Sequence, residues 1–157
     1  HRNAPNLVGQ TVRSRLSGIP VAVDVLEVSH ISVAGHYGCG GVRSALRDDK
    51  LGLIDNWLRH VQDVLAKHQA ELQLLEPGTP RQNRLCELNV IEQAANVCHT
   101  TIARDAWERG QELAIHGWIY GLQDGLLKDL HFTVRACQET LPAYHKAIAT
   151  PLDRPGA

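Results

Sequence analysis

The chain has 157 residues, of which 43% are hydrophobic and 21% charged, and its formal net charge is −1. This length suits one globular domain, and the composition excludes a fibre or a disordered tail. The balanced charge argues against a nucleic-acid or polybasic membrane contact, and no apolar run is long enough to cross a bilayer. Aromatic residues make up only 4% of the chain, so the predicted core is mainly aliphatic.

The chain contains no methionine and begins at His1, which we interpret as a processed or truncated chain or one whose first part is not included in the sequence. Residues 1–150 are predicted to form a single domain that is incomplete at its N-terminus. The proline-containing residues 151–157 are predicted to be a flexible tail.

The elements at the start of the chain lead to a glycine-rich turn. Residues 1–9 are predicted to be a loop or the end of a strand. The periodicity of residues 19–28 fits a helix or a strand, and we favour a helix. The β-branched run at 30–35 ends at glycine and predicts a buried strand. The turn HYGCGG follows at 36–41, and residues 42–47 are predicted to be helical.

Two long helices are predicted in the middle of the chain. Apolar residues at helical spacing over 51–75 predict the first helix, which Pro77 and Gly78 end. The same periodicity predicts a second helix over 83–108, with Gly110 as its C-terminal cap.

The last part of the chain returns to strands, at 111–116 and 126–134, before a final helix at 139–149. Strands that alternate with helices predict an α/β fold with a mainly parallel sheet flanked by helices. Two strand ends carry glycine and polar residues, His36–Gly41 and His116–Gly121. Functional groups of such folds collect at the C-terminal ends of parallel strands, so we expect the site there.

The glycine-rich turn does not match a nucleotide-binding motif. Gly38 and Gly40 give G-x-G, but Arg43 stands where the third glycine of the dinucleotide fingerprint belongs. Neither a phosphate-binding G-x-x-x-x-G-K-[ST] loop nor a G-x-S-x-G nucleophile elbow occurs in the chain.

His36 and Cys39 are candidate metal ligands. Histidine nitrogen and cysteine thiolate both bind Zn²⁺, at roughly 2.0–2.1 and 2.3 Å, and a glycine-rich turn lets both side chains reach one ion. The turn leads into the N-terminus of the following helix, and the partial positive charge at that end favours a thiolate or a bound anion. A buried free cysteine beside a turn histidine is the alternative reading.

The four cysteines are Cys39, Cys86, Cys98 and Cys137. None forms a C-x-x-C pair, and four are too few for a disulfide scaffold. Their spacing predicts reduced thiols in a reducing compartment, which favours a cytoplasmic location.

Several segments of the chain resemble the β-class carbonic anhydrases, and the bacterial members in particular. They are, in order, HRNAPNLV, HYGCGGV, LGLIDNWLRH, LCELNVIEQ and IHGWIYGLQDGLLKDL. The resemblance covers most of residues 1–134. It implies a zinc enzyme that hydrates CO₂ reversibly to bicarbonate and a proton, with zinc activating the attacking water.

The resemblance also assigns roles to residues. His36 and Cys39 match the histidine and one of the two cysteines that bind zinc in this family. The other cysteine, with an aspartate and an arginine, belongs to a C-x-D-x-R motif upstream of HRN, on a central strand. We therefore expect this chain to lack the N-terminal portion with the first zinc cysteine and the aspartate–arginine dyad. Alone, it is expected neither to bind zinc tightly nor to turn over.

Further residues are implied at anion sites. Gly40 and Gly41 are expected to offer backbone N–H groups to the substrate anion. By resemblance to bacterial members, Arg2 and Tyr120 match part of a non-catalytic bicarbonate pocket, while a structural ion pair is an equal alternative for Arg2. The resemblance implies a homodimer or a tetramer. The alternative function is an inactive remnant that serves as an assembly or bicarbonate-binding module.

Overall fold

A computed structural model describes residues 18–47, 52 and 55–152, apart from the side chains of Asp55 and Trp57. The predictions for residues 1–9, for Arg2 and for the last part of the tail lie outside the described residues. The division into a domain over 1–150 and a tail over 151–157 stays a prediction.

The described elements alternate between helices and strands. In chain order they are a short helix Gly18–Pro20 with a π-helical turn Val21–Val25, β1 His30–His36, α1 Gly40–Arg47, α2 Asp55–Lys67, α3 Gln69–Gln73, α4 Thr79–Cys98, α5 Thr101–Glu108, β2 Ala114–Tyr120, β3 Leu127–Val134, a 3₁₀ turn Cys137–Glu139 and α6 Thr140–Ala149. None of these helices is long and apolar enough to span a membrane.

The described strands form one sheet in the order β1-β2-β3. β1 and β2 are parallel, with His30 opposite Ala114 and His36 opposite Tyr120. β3 is antiparallel to β2. Residues 121–126 connect these two strands, whereas a parallel crossover needs about a dozen residues or more. A parallel pair within a sheet flanked by helices confirms the predicted α/β class.

Helix α4 lies at the centre of the core. Leu85, Leu88 and Ile91 are completely buried, as predicted from their periodicity. β1 packs so closely on this helix that a Cβ atom built at Gly35 would lie 2.5 Å from Val90 Cγ2. A strand–helix contact of this kind requires glycine, and it brings the end of β1 over the first half of α4.

Both predicted long helices are interrupted in the structure. The helix expected over 51–75 breaks at His68, whose φ of −108° and ψ of 19° are not helical. The helix expected over 83–108 begins earlier, at Thr79, and breaks before Thr100. Thr100 Oγ1 accepts a hydrogen bond from the Ala103 amide, so it caps a new helix. Apolar spacing alone does not reveal such breaks, because the periodicity continues across them.

Candidate metal site

The predicted strand ends meet at one edge of the sheet. His36 ends β1 and lies opposite Tyr120, which ends β2. The Tyr37 amide donates to the Tyr120 carbonyl at 3.0 Å, so the turn after β1 is tied to the end of β2. His116, which was expected at a strand end, lies inside β2 opposite Ser32. The strand runs on through GWIY because its backbone continues to pair with both neighbours.

A tight turn separates His36 from the helix that begins at Gly40. Gly38 has a φ of +70°, a left-handed conformation that glycine adopts without strain. The carbonyl of Cys39 accepts from the Arg43 amide at 3.0 Å and from Gln82 Nε2 at 3.2 Å. The Cys39 backbone is therefore held by α1 on one side and by α4 on the other, and its thiol is free and partly buried.

The His36 imidazole has a defined proton position. Its Nδ1 lies 2.9 Å from the carbonyl oxygen of Tyr37. A carbonyl oxygen only accepts, so Nδ1 carries the hydrogen and donates it. The lone pair of the neutral ring is then on Nε2, the form in which histidine binds metals. The ring is exposed.

His36 and Cys39 fit zinc chemically, because they offer a neutral imidazole nitrogen and a thiol three residues apart. Two donors are fewer than the four ligands that zinc usually takes. Among the described residues there is no group of three or more His, Cys, Asp or Glu side chains that could hold a metal ion. This part of the chain therefore contributes two candidate ligands.

The remaining cysteines form no group of three metal-binding side chains with His36 and Cys39 among the described residues. Cys86 and Cys98 are buried, and desolvation raises the pKa of each thiol to about 12. Cys137 is exposed, in the 3₁₀ turn before α6. Cys86 and Cys98 pack in the hydrophobic core.

The glycines after Cys39 begin a helix. Gly40 and Gly41 are the first residues of α1, where backbone N–H groups lack intrahelical acceptors. A helix start favours anions, and the expected role of these two residues stays a prediction. Of the two residues expected in a bicarbonate pocket, Tyr120 is partly exposed at 39%, and Arg2 lies outside the described residues.

A buried polar network lies directly beneath the turn. The Tyr37 hydroxyl donates to Glu87 Oε1 at 2.7 Å, and Arg84 Nη1 donates to Glu87 Oε2 at 2.9 Å. Glu87 is fully buried, and Arg84 is 3% exposed. Sequence reasoning missed these residues. The sequence feature that could have revealed them is a pair of opposite charges three positions apart in a helical segment rich in apolar residues.

A cavity of about 360 Å³ opens beside the turn, and Tyr37, Gly38, Asn83 and Lys128 contribute to its lining. Lys128 Nζ lies 2.8 Å from Asp124 Oδ2 and 5.8 Å from the centre of the Tyr37 ring. The hydrogen bond from Lys128 holds the pKa of the Asp124 carboxyl below its usual value. The turn thus faces a cavity that is lined in part by a paired cation, Lys128.

A pair of histidines lies away from this turn. His30 Nδ1 is 3.0 Å from His116 Nε2, and the two rings stack with centroids 5.2 Å apart. His116 Nδ1 also contacts Thr133 Oγ1 at 3.0 Å. Burial, and then the nearby His30, lower the pKa of His116. Because His30 begins β1 and His36 ends it, this pair lies towards the opposite end of the strand from the candidate site.

An α/β sheet whose parallel strand ends in a histidine, a glycine turn and a cysteine defines a candidate metalloprotein. Comparison with known proteins specifies the family. The sequence model of the carbonic anhydrase family matches residues 1–127. A carbonic anhydrase of Emericella nidulans is 45% identical over 131 residues, which are 83% of this chain and 58% of that protein. A carbonic anhydrase of Pseudomonas aeruginosa is 35% identical over 136 residues, or 82% of this chain and 60% of that protein.

Solved structures of β-carbonic anhydrases share the fold. The Coccomyxa enzyme in complex with acetazolamide superposes with a TM-score of 0.83 at 34% identity, over 88% of this chain and 63% of that one. One of two tetrameric enzymes of Sordaria macrospora gives 0.79 at 32% identity, over 85% and 68%. The chain belongs to the β-carbonic anhydrase family, as its motifs predicted. It spans about 58% of the length of the Emericella relative.

Proposed function

We propose that this chain is part of a zinc-dependent enzyme that hydrates CO₂ reversibly to bicarbonate and a proton. The observation that carries the proposal is the pair His36 and Cys39, presented by a strand–turn–helix unit in a chain of the carbonic anhydrase family. When bound, zinc supplies the Lewis acidity that makes water a nucleophile near neutral pH.

The residues of this chain have distinct tasks in the proposal. His36 binds through Nε2, because Nδ1 is engaged with the Tyr37 carbonyl. Cys39 binds as the thiolate, and the N-terminal end of α1 favours that negative charge. The N–H groups of Gly40 and Gly41 are available to orient bicarbonate as it forms or leaves. Zinc usually takes four ligands, so His36 and Cys39 would supply two of them.

A second anion site is part of the proposal. Tyr120 lies at the end of β2 with its side chain partly exposed, and Arg2 offers a guanidinium that can bind bicarbonate through paired hydrogen bonds. This pocket would bind bicarbonate without turning it over. An ion pair of Arg2 with a protein carboxylate is the competing role.

We further propose a homo-oligomer, a dimer or a tetramer, in the cytoplasm. The Sordaria relatives, which are described as tetrameric, support assembly. Exposed apolar side chains near the β2–β3 connection, including Tyr120, Leu122 and Leu126, offer surface for it. Free cysteines, of which two are buried, suit a reducing compartment.

An inactive bicarbonate-binding or assembly module is the second candidate function. It is favoured by the finding that no group of three metal-binding side chains lies within the described ranges. In this case the fold and the Tyr120 pocket would keep their role, whereas the zinc chemistry would be lost.

Metal analysis combined with stopped-flow CO₂ hydration tests the proposal. If the protein tested carries the upstream cysteine motif, about one zinc per chain and turnover abolished by Cys39→Ser are expected, since thiolate is a zinc ligand. The 157 residues alone are expected to show neither property. The exposed Cys137→Ser variant serves as the control and should keep both properties. The intact mass of the purified protein, measured by mass spectrometry, shows whether residues upstream of His1 are present in the sample. A zinc-free protein without turnover that still binds bicarbonate would instead establish the second candidate.

A further inference from the structure

We propose that Glu87 acts through Tyr37 as a positioning residue for the metal-binding turn. The inference rests on the proposed function, in which His36 is a zinc ligand. Neither residue touches the metal in this proposal. Instead, the buried carboxylate holds Tyr37, and the carbonyl of Tyr37 sets the tautomer and the direction of the His36 ring.

The first step is the hold on Tyr37. Its hydroxyl donates to Glu87 Oε1 at 2.7 Å, and its amide donates to the Tyr120 carbonyl at 3.0 Å. One contact lies within the core and the other at the sheet edge. With both its side chain and its amide held, the residue has little freedom to rotate its carbonyl group.

The second step is the hold of Tyr37 on His36. The Tyr37 carbonyl accepts the Nδ1 hydrogen at 2.9 Å and thereby leaves Nε2 unprotonated. Partners of this kind fix the tautomer and the ring direction of metal-binding histidines. If the turn rotated, Nδ1 would lose its acceptor and the ring would exchange between both tautomers.

The third step is the anchoring of Glu87 itself. Arg84 donates to Glu87 Oε2 at 2.9 Å, to Glu71 Oε1 at 2.6 Å and to the carbonyl of Ile148 at 2.6 Å. These contacts join α3, α4 and α6, so the carboxylate is fixed to the framework. Burying a charge is costly, and buried ion pairs add little stability compared with apolar replacements. A role in placing the turn gives this carboxylate a function that packing does not supply.

Two single variants and their combination test the inference. Tyr37→Phe removes one hydroxyl and leaves the Glu87–Arg84 pair in place. Glu87→Gln removes the charge and replaces one of the two acceptor oxygens by an NH₂ group, so the side chain can no longer accept from both Arg84 and Tyr37. Glu92→Gln is the matched control, because Glu92 is another carboxylate of α4 and bonds to Lys67, His68 and Tyr144 instead.

The first measurement is the tautomer of His36 in zinc-free protein, by ¹⁵N NMR of the imidazole at about pH 8.5, where histidine is ordinarily neutral. We expect Nδ1–H in the wild-type and Glu92→Gln proteins, and a mixture of tautomers in Tyr37→Phe and Glu87→Gln. We call Tyr37→Phe and Glu87→Gln the turn variants. If the His36 tautomer is unchanged in both of them, the inference is overturned whether or not the protein binds zinc.

The second measurement is the zinc dissociation constant, by chelator competition. A roughly 10-fold weakening is expected for each turn variant, the usual lower bound for such partners. The double variant should bind zinc no more weakly than the single variant with the lower zinc affinity, because both changes break the same chain of contacts. If the wild-type protein binds zinc and both turn variants bind it with the same affinity, the inference is overturned while the proposed function stands. A wild-type protein that carries the upstream cysteine motif and still binds no zinc overturns the proposed function.

Discussion

Arg84 and Glu87 form an ion pair inside the protein, with Nη1 2.9 Å from Oε2 and both side chains almost completely excluded from solvent. The pair lies on one face of α4, one helical turn apart, beneath the turn that carries His36 and Cys39. Its position links the stability of the core to the geometry of the candidate site.

Removing Arg84 is expected to be severely destabilising. In Arg84→Met the Glu87 carboxylate stays buried without its cation, and such changes typically cost about 3–5 kcal/mol of unfolding free energy. Urea denaturation measures this loss. Arg109→Met is the comparison, because Arg109 pairs with Asp24 at 2.6 Å near the surface, where exposed pairs contribute about 1 kcal/mol or less. Equal losses in the two variants would contradict the assigned role of burial.

The thiols are expected to differ in reactivity. Burial raises the pKa of Cys86 and of Cys98 to about 12, so both thiols stay protonated at neutral pH. Iodoacetamide should therefore modify the exposed Cys137 while these two stay unmodified in the native protein, as read by peptide mass spectrometry. All should react in denaturant. Rapid native labelling of Cys86 would show that the start of α4 opens.

Glu92 is expected to stabilise the fold only above acidic pH. Burial alone would raise its pKa, but hydrogen bonds from His68, Tyr144 and Lys67 outweigh burial and lower it to about 2. A carboxyl whose pKa is lowered in the folded state stabilises the fold at any pH above its pKa in the unfolded state. This contribution is lost as the pH falls from about 4.5 to about 2.

Glu92→Gln should accordingly be less stable than the wild type by about 2–3 kcal/mol at neutral pH. The difference should shrink towards pH 2. Urea denaturation at several pH values measures it, with the exposed Glu76→Gln as control. A constant difference across this range would disprove the linkage.

The contact of β1 with α4 is expected to exclude any side chain at Gly35. A Cβ atom there would meet Val90 Cγ2 at 2.5 Å, and overpacking of a core typically costs about 1–3 kcal/mol. Gly35→Ala should therefore lower the melting temperature. Gly18→Ala should not, because no atom lies within 4 Å of the added Cβ. A neutral Gly35→Ala would mean that the strand can move away from the helix.

The sequence by itself determined the features that lie within short segments. The order of strands and helices followed from periodicity, and the pair His36 and Cys39 was visible because turn, ligands and following helix are contiguous. The family followed from motifs spread over most of residues 1–134. Element ends were less accurate, since the breaks at His68 and before Thr100 depend on local backbone geometry and capping.

Only the tertiary structure decided what lies beneath the turn. Tyr37 and Glu87 are 50 positions apart in the chain, and no spacing rule connects them. Their contact exists because Gly35 lets β1 pack directly on α4, which brings the end of the strand over a buried carboxylate. The proton position on His36 likewise depends on one carbonyl direction. Residue types predicted the chemistry, whereas long-range packing set its orientation.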